Sequence, residues 1–169
     1  MTKEVNLKQY IRTIENFPIP GVSFRDITSL IESPLAFHET SKRLISFAYE
    51  FKANLLVSIE SRGFIFSGAI ANELSLPCVL ARKPGKLPNE TYSKAFNLEY
   101  GSTAIEIQKN TVMKSTDKVV IIDDLVATGG TAIACVEILI ENFFIPKENI
   151  LIVAVIDLPS LGGSKLINA

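Results

Sequence analysis

The chain has 169 residues, of which 47% are hydrophobic and 21% charged, which is enough for one domain with a substantial core but short for two. Its formal net charge of −1 gives no general attraction to nucleic acid or to an anionic membrane. The first fifteen residues are charged rather than continuously apolar, and runs such as 150–156 are too short to cross a bilayer, so we expect a soluble, cytoplasmic protein.

The first predicted elements are two helices. Helical spacing of apolar residues near the N-terminus predicts an amphipathic helix that contains Leu7, Tyr10, Ile11 and Ile14. Residues 17–21, with two prolines and a glycine, would end it. A second helix is predicted to begin with Ser33 as its cap and Pro34 at its first position. Its buried stripe would consist of Leu44, Ile45, Phe47, Ala48 and Phe51.

From residue 55 onward, short apolar runs alternate with helix-like stretches. The runs cover 55–59, 78–81, 119–122 and 150–156, and the helix-like stretches cover 63–74 and 130–142. Continuous apolar strands separated by helices predict an α/β fold, with a mostly parallel twisted sheet and helices on both faces. Thr103, Ile105 and Ile107 alternate with polar neighbours, which predicts a two-faced antiparallel strand.

A long loop is predicted between two of the apolar runs. Residues 83–96 hold two prolines, a glycine and three lysines without periodicity, which predicts a loop of the kind that often acts as a lid.

The chain has two cysteines. Cys78 and Cys135 both lie in apolar runs, which favours reduced, buried packing residues, although the sequence leaves a disulfide between them open.

Charged residues follow several of the predicted strands. In open parallel α/β sheets, ligands bind beyond the carboxyl ends of the strands. Those ends carry residues 60–63, 82–83, 123–124 and 157 onward, and the first three suit a phosphorylated sugar. Any one of them could equally be a solvated strand end, but three together favour a binding site.

The most informative segment is 119–131. A buried strand delivers Asp123 and Asp124, and small residues then open a helix. The backbone amides and threonine hydroxyls at this helix N-terminus can face a phosphate, and the cradle consists of Ala127, Thr128, Gly129, Gly130 and Thr131. A phosphate cradle beside two acceptors for vicinal hydroxyls predicts a site for ribose 5-phosphate. No lysine follows the glycines, and the carboxylates precede the loop, so neither a Walker loop nor a dinucleotide fingerprint fits.

The segment from Asp123 to Thr131 resembles the phosphoribosyl pyrophosphate motif of the type I phosphoribosyltransferases. Four further segments, in the family's order, are similar to those of its adenine-specific members: 17–27, 61–64, 82–88 and 98–101. The resemblance covers about residues 7–158, with two departures. Phe96-Asn97 replaces a tyrosine and a small or acidic residue, and the chain stops soon after Gly162-Gly163, which leave the lid and the C-terminal packing open.

The resemblance implies purine salvage, in which a glycosyltransferase moves the phosphoribosyl group from phosphoribosyl pyrophosphate to adenine. Asp123 and Asp124 would hold the ribose hydroxyls, and the 127–131 cradle would hold the 5-phosphate. The pyrophosphate would be neutralised by Mg²⁺, carried mainly by the substrate, together with Arg62, Arg82, Lys83 and Lys86. The turn at 60–62 would hold a strained or cis peptide.

The resemblance also assigns the base site. Adenine would stack between Phe24 and Leu125, while the backbone near Ser23 and Arg25 reads its edge. Glu99 would lie near N7 and exchange a proton there, which contributes roughly 10²–10⁴-fold, so that Glu99 and Arg62 would be the catalytic residues. Without the resemblance, Phe24 reads as a core aromatic and Glu99 as a surface residue.

The implied organisation is a single phosphoribosyltransferase domain. Residues 1–33 would form a small N-terminal helix and a hood over the base, residues 34–158 the core with its lid loop at 83–96, and residues 159–169 a C-terminal tail. The family's members are usually homodimers, and the same assembly is expected here. The substrates would be the only other partners, with neither nucleic acid nor membrane involved.

Two alternative functions remain open. A transcription regulator could use the same fold to sense phosphoribosyl pyrophosphate, although the first fifty residues hold no clear recognition helix. The same chemistry could act on hypoxanthine, guanine, xanthine or orotate, in which case Asp157 could read a 6-oxopurine. The single histidine, His38, lies among polar residues, which argues against a zinc site or a Ser-His-Asp hydrolase.

Overall fold

The computed structural model describes residues 5–98 and 101–167 of the chain. The chain forms two compact units that divide between Arg43 and Leu44. In the described ranges, no helix is both long and apolar enough to span a membrane.

The N-terminal unit contains a short hairpin. A 3₁₀ turn at Leu7–Tyr10 is followed by β1 (Arg12–Glu15) and β2 (Ser23–Asp26), which pair antiparallel with Ile14 opposite Phe24. The predicted opening helix is therefore wrong beyond a single turn. Its apolar positions include β-branched residues, which prefer extended backbone, and Ile14 is 41% exposed rather than buried on a helical stripe.

Two helices follow the hairpin. The sequence did not predict α1 (Thr28–Glu32), but α2 (Pro34–Glu50) begins at the predicted residue. The Ser33 hydroxyl accepts a hydrogen bond from the Ala36 amide at 3.3 Å, which confirms the predicted cap. The predicted stripe is only partly correct. Leu44 and Ala48 are buried, whereas Phe47 is 53% exposed.

The second unit is built on a six-stranded sheet with the order β5-β6-β4-β3-β7-β8. Its strands are β3 (Leu55–Ile59), β4 (Cys78–Arg82), β5 (Thr91–Leu98), β6 (Gly101–Gln108), β7 (Val119–Val126) and β8 (Ile150–Asp157). Besides the C-terminal part of α2, its helices are α3 (Gly63–Leu74), α4 (Gly130–Phe143) and α5 (Gly163–Ile167), with 3₁₀ turns at Lys147–Asn149 and Pro159–Leu161. The β3–β4, β3–β7 and β7–β8 pairs are parallel, and β6 pairs antiparallel with β4 and β5.

Helices cover both faces of this sheet, as the sequence predicted. The β3–α3–β4 and β7–α4–β8 connections leave the centre in opposite directions, so right-handed crossovers place α3 and α4 on opposite faces. Alternation along β7 sends Val119 and Ile121 into the core beneath α4, where they join Cys135 and Ile138. The predicted strands at β3, β7 and β8 and the antiparallel excursion at β6 are confirmed.

The predicted loop at 83–96 is shorter than expected. Strand β5 begins at Thr91 and pairs with β6 along its whole length, so only residues 83–90 form a loop. Tyr92 and Phe96 lie on the same face of β5, and both pack against the core. Lys94 lies between them on the same face, so a charged residue interrupts the apolar alternation in the sequence. Its ammonium lies 2.9 Å from a carboxylate oxygen of Glu141.

The two cysteines differ in their environment. Cys135 is buried as predicted, but Cys78 is exposed, and both are free thiols. Cys78 and Leu80 lie on the same face of β4, and Leu80 is 40% exposed, so the described helices leave that face accessible.

Candidate active site

Three strand ends meet at one edge of the sheet. β3 lies between β4 and β7, and all three run parallel, so their carboxyl ends are neighbours. The residues that follow or end these strands are the charged ones that the sequence singled out. Parallel sheets bind ligands at this edge.

The turn after β3 carries Arg62 into α3. The Glu60–Ser61 peptide is cis, which confirms the expectation for this turn. Gly63 then packs directly on the neighbouring strand, because a Cβ atom there would lie 2.8 Å from the carbonyl oxygen of Ile122. The absence of a side chain at Gly63 therefore lets the turn approach β7 just before its two carboxylates.

Asp124 faces this turn. Its Oδ2 atom lies 2.8 Å from Nη2 of Arg62, and its side chain is 8% exposed while that of Arg62 is 35% exposed. A nearly buried carboxylate thus has a cationic partner that can also reach solvent. The ion pair holds Arg62, which follows β3, beside the carboxyl end of β7.

Asp123 faces the other way, toward α4. Successive residues of a strand point to opposite faces, and Asp123 acts electrostatically on the buried Cys135 of α4. Its Oδ1 accepts a hydrogen bond from the Asp124 amide at 2.8 Å. Burial, together with the neighbouring Asp124 carboxylate, raises the pKa of Asp123 well above its ordinary value.

A pocket of about 200 Å³ lies in front of the N-terminus of α4. It is lined by Asp123, Leu125, Val126, Ala127, Thr128, Gly129, Gly130, Thr131 and Ala132. Gly129 has a φ of 83° and leads into α4, whose first amides have no partner within the helix. Amides without an intrahelical partner, two threonines and a positive helix end are suited to an anion such as a phosphate.

Arg82 anchors the loop that follows β4. Its Nε donates to Glu60 at 2.7 Å, and its Nη1 donates to the Lys86 carbonyl at 3.0 Å. The Gly85 amide donates to Glu106 at 3.2 Å, so the loop is held at its start. Lys83 and Lys86 are exposed, which leaves both ammonium groups free to approach a polyanion.

The residues expected to bind the base lie in different units. Ser23, Phe24 and Arg25 belong to β2 of the N-terminal unit, and Leu125 lies on β7 of the second. The Phe24 ring meets that of Phe17 edge-on at 5.1 Å between centroids. Glu99, predicted to act on the purine, lies outside the described residues. These assignments remain predictions.

The side chains of β2 are engaged within the hairpin. The Ser23 hydroxyl donates to Glu15, and the Arg25 guanidinium donates to Thr13. In the described part of the chain, β2 pairs only with β1. In an antiparallel pair, alternate residues of each strand turn both amide and carbonyl away from the partner strand.

Two residues beside the site carry no local sequence signal of their contacts. Glu60 lies at the predicted end of β3 and holds Arg82. Gly163 lies near the C-terminus, and its amide donates to the Ala127 carbonyl of the pocket loop at 3.0 Å. No local pattern signals either contact, because each joins segments that are far apart in the chain.

Comparison with known sequences agrees with this geometry. The family model of the phosphoribosyl transferase domain matches residues 33–162. An adenine phosphoribosyltransferase of Beijerinckia indica is 45% identical over 169 residues, which are 100% of this chain and 92% of that protein. One from Pelagibacter ubique is 44% identical over 163 residues, covering 95% of this chain and 89% of its own.

Solved structures give the same result. The Giardia lamblia APRTase complexed with 9-deazaadenine matches 96% of this chain and 90% of its own, with a TM-score of 0.89 and 34% identity. The Saccharomyces cerevisiae adenine phosphoribosyltransferase, complexed with an imino-altritol bisphosphate and adenine, matches 96% of this chain and 93% of its own, with a TM-score of 0.82 and 32% identity.

Proposed function

The chain belongs to the phosphoribosyltransferase family, and we propose how its residues perform the reaction of the adenine-specific members. It is a pentosyltransferase of purine salvage that transfers the 5-phosphoribosyl group from phosphoribosyl pyrophosphate to adenine, giving AMP and pyrophosphate. The observation that carries this conclusion is the 45% identity over the whole chain, joined to a pocket of about 200 Å³ beside a buried carboxylate.

The sugar phosphate would occupy the pocket at the N-terminus of α4. The amides and hydroxyls of residues 127–131 would bind the 5-phosphate, since that end of the helix favours an anion. Asp123 and Asp124 would accept hydrogen bonds from the ribose hydroxyls. Their opposite orientations on β7 give the two carboxylates different roles, with Asp123 nearer the phosphate loop and Asp124 nearer Arg62.

The pyrophosphate end would be held by the cations beyond β3 and β4. Arg62 and Arg82 are positioned by carboxylates, and Lys83 and Lys86 add movable charges. Among the described residues, no group of three or more His, Cys, Asp or Glu side chains could hold a metal ion. Mg²⁺ would be bound mainly through substrate oxygens, where it would offset the charge of the departing pyrophosphate.

The base would be read by the main chain of β2 and stacked by Phe24 and Leu125. The position of β2 in a two-stranded sheet supports this part of the proposal, because an amide and a carbonyl of one residue on its outer edge would satisfy N1 and the 6-amino group together. Glu99 would take up the proton that the purine loses as N9 bonds to C1 of the ribose.

One assay tests the assignment. Each nucleobase is incubated with phosphoribosyl pyrophosphate and Mg²⁺, and nucleotide formation is followed. We expect AMP from adenine and little product from hypoxanthine, guanine, xanthine or orotate. A protein that binds the sugar phosphate but makes no nucleotide would instead be a sensor, and preferred use of a 6-oxopurine would point to Asp157 as its reader.

We also propose that the protein acts as a homodimer in the cytoplasm, as the resemblance implies. Light scattering coupled to size-exclusion chromatography tests the first statement, with a mass of twice 18.6 kDa expected. Cell fractionation with an antibody against the chain tests the second.

A further inference from the structure

The segment that follows β8 returns to the loop that lines the pocket. The Leu158 amide donates to the Val126 carbonyl at 3.0 Å, at the end of β7. Five residues later, the Gly163 amide donates to the Ala127 carbonyl, also at 3.0 Å. Two main-chain hydrogen bonds therefore tie this tail segment (Leu158–Ile167) to consecutive residues at the start of the pocket loop.

No side chain fits at Gly163. A Cβ atom there would overlap the Ala127 carbonyl oxygen and would lie 2.5 Å from the Gly129 nitrogen and 2.7 Å from the Thr128 carbonyl carbon. These neighbours are backbone atoms, so no rotamer change can relieve the overlap. The φ of Gly163 is not in the left-handed region, which makes the close approach itself the reason for glycine.

The contact is reciprocal. A Cβ atom on Gly129 would lie 3.1 Å from both Cα and the carbonyl oxygen of Gly163. The two glycines thus pack backbone on backbone, and Gly163 is buried. The tail segment touches the loop at Ala127, Thr128 and Gly129, which are three successive residues of the pocket lining.

We propose that Gly163 is a positioning residue for the 5-phosphate site. Its amide donates a hydrogen bond to the Ala127 carbonyl, which keeps that partially negative oxygen from turning toward a bound phosphate. Its missing side chain lets the tail segment support the loop from behind and fix its peptide planes. This inference rests on the proposed binding of the 5-phosphate by residues 127–131.

The substitution Gly163→Ala tests the proposal, with Gly68→Ala as the control. Gly68 lies on α3, and a Cβ atom there would have nothing within 4 Å, so the same methyl group is added without an overlap. We expect the KM for phosphoribosyl pyrophosphate to rise at least tenfold in the first variant, while the KM for adenine stays within twofold. The control should change neither value by more than twofold. Equal changes in both KM values, or none, would overturn the proposal.

A second measurement uses the unaltered protein and decides the matter even where Gly163→Ala does not fold. Hydrogen exchange is followed with and without ribose 5-phosphate in peptides covering 127–131 and 159–167. We expect slower exchange in both, because a bound phosphate holds the loop and with it the Gly163 amide. Protection of the loop alone would refute the role of Gly163 and leave the phosphate site intact. Protection of neither would refute both.

Discussion

At the scale of single residues, Asp123 and Asp124 show how strand alternation separates two adjacent carboxylates. Asp124 lies 2.8 Å from a guanidinium nitrogen of Arg62, whereas Asp123 is surrounded by the α4 side of the sheet and the Asp124 amide. Both residues are buried, since counted over the whole residue Asp123 is 8% exposed and Asp124 is 6% exposed. The two carboxylates therefore have different surroundings, and substitutions at the two positions should have different consequences.

The substitution Asp124→Asn keeps the shape of the side chain but removes its charge. A charge-assisted hydrogen bond to a ribose hydroxyl is worth about 1.5–3 kcal/mol, so kcat/KM should fall roughly tenfold or more. Steady-state kinetics with varied phosphoribosyl pyrophosphate measures this loss. Glu148→Gln, at an exposed acid in the turn before β8, serves as the control. An unchanged kcat/KM for Asp124→Asn would remove this residue from the site.

Asp123 should make stability depend on pH. Its folded-state pKa is raised above the ordinary value of 3.8, so between these two values the folded state binds more protons than the unfolded state. The unfolding free energy must then fall as the pH rises from about 4 toward the folded pKa, by at most ~1.4 kcal/mol per pH unit.

The matched variant for this effect is Asp123→Asn, which has no proton to lose. Urea unfolding without ligand, at a series of pH values, should show the wild-type protein losing stability relative to the variant across that window. Above the folded pKa, the difference should become constant. A difference that is flat from pH 4 upward, or that grows in favour of the wild type, would contradict the raised pKa.

At the scale of elements, the sequence predicted best those strands that are buried on both faces. β3 and β7 read as continuous apolar runs because each lies inside the sheet between helices, and no alternation was needed to find them. β5 was missed because Lys94 shares the face of Tyr92 and Phe96 on this edge strand and interrupts their apolar alternation. The opening helix failed because four apolar positions fit more than one period when the segment is short.

The turn between β3 and α3 should be sensitive to Gly63→Ala. The added methyl group would lie 2.8 Å from the Ile122 carbonyl oxygen, so the turn must move away from β7 and carry Arg62 with it. Displacement of a positioned group by about 1 Å can cost roughly 10²-fold in rate. We expect kcat/KM to fall at least tenfold. Gly68→Ala on the same helix adds an equal methyl group in open space and should retain activity.

The loop at 83–90 should respond to substrate. Arg82 and Glu106 hold its start, while its two lysines are exposed and would be attracted by a pyrophosphate group. We expect slow hydrogen exchange in this segment when phosphoribosyl pyrophosphate is bound and faster exchange without it, because closure excludes water from the reacting atoms. The β5 amides, which are paired with β6, should exchange alike in both states. Equal exchange of 83–90 in both states would make it an ordinary surface loop.

At the scale of the whole molecule, the candidate site was predictable where function imposes a local motif. Residues 119–131 combine a buried strand, two acids, small residues and the start of a helix in thirteen consecutive positions. The chemistry of this segment could therefore be inferred from the sequence alone. Glu60 and Gly163 act only through contacts with distant segments, namely Arg82 and the loop at Ala127. Such contacts depend on strand order and on the path of the chain after β8, which no local pattern encodes.

Base selectivity is the property of the molecule that the outer edge of β2 should control. The Ser23 and Arg25 side chains are bound within the hairpin, to Glu15 and Thr13, so in the proposed site recognition of the base would fall to main-chain groups. A backbone N–H group accepts no hydrogen bond, and a backbone carbonyl donates none. The edge of β2 can therefore satisfy only a base with the complementary order of donor and acceptor.

We accordingly expect adenine to be preferred over hypoxanthine by roughly 10²–10⁴-fold in kcat/KM, the range found where a site depends on hydrogen bonds. Adenine offers an amino donor to a carbonyl and N1 to an amide, whereas hypoxanthine places an oxygen and a protonated N1 at those positions. Each unpaired buried group costs about 1–3 kcal/mol. Arg25→Ala should leave the preference in place, because in the proposed site the recognising atoms would belong to the backbone. Use of hypoxanthine within tenfold of adenine, measured in competition, would show that side chains or water select the base instead.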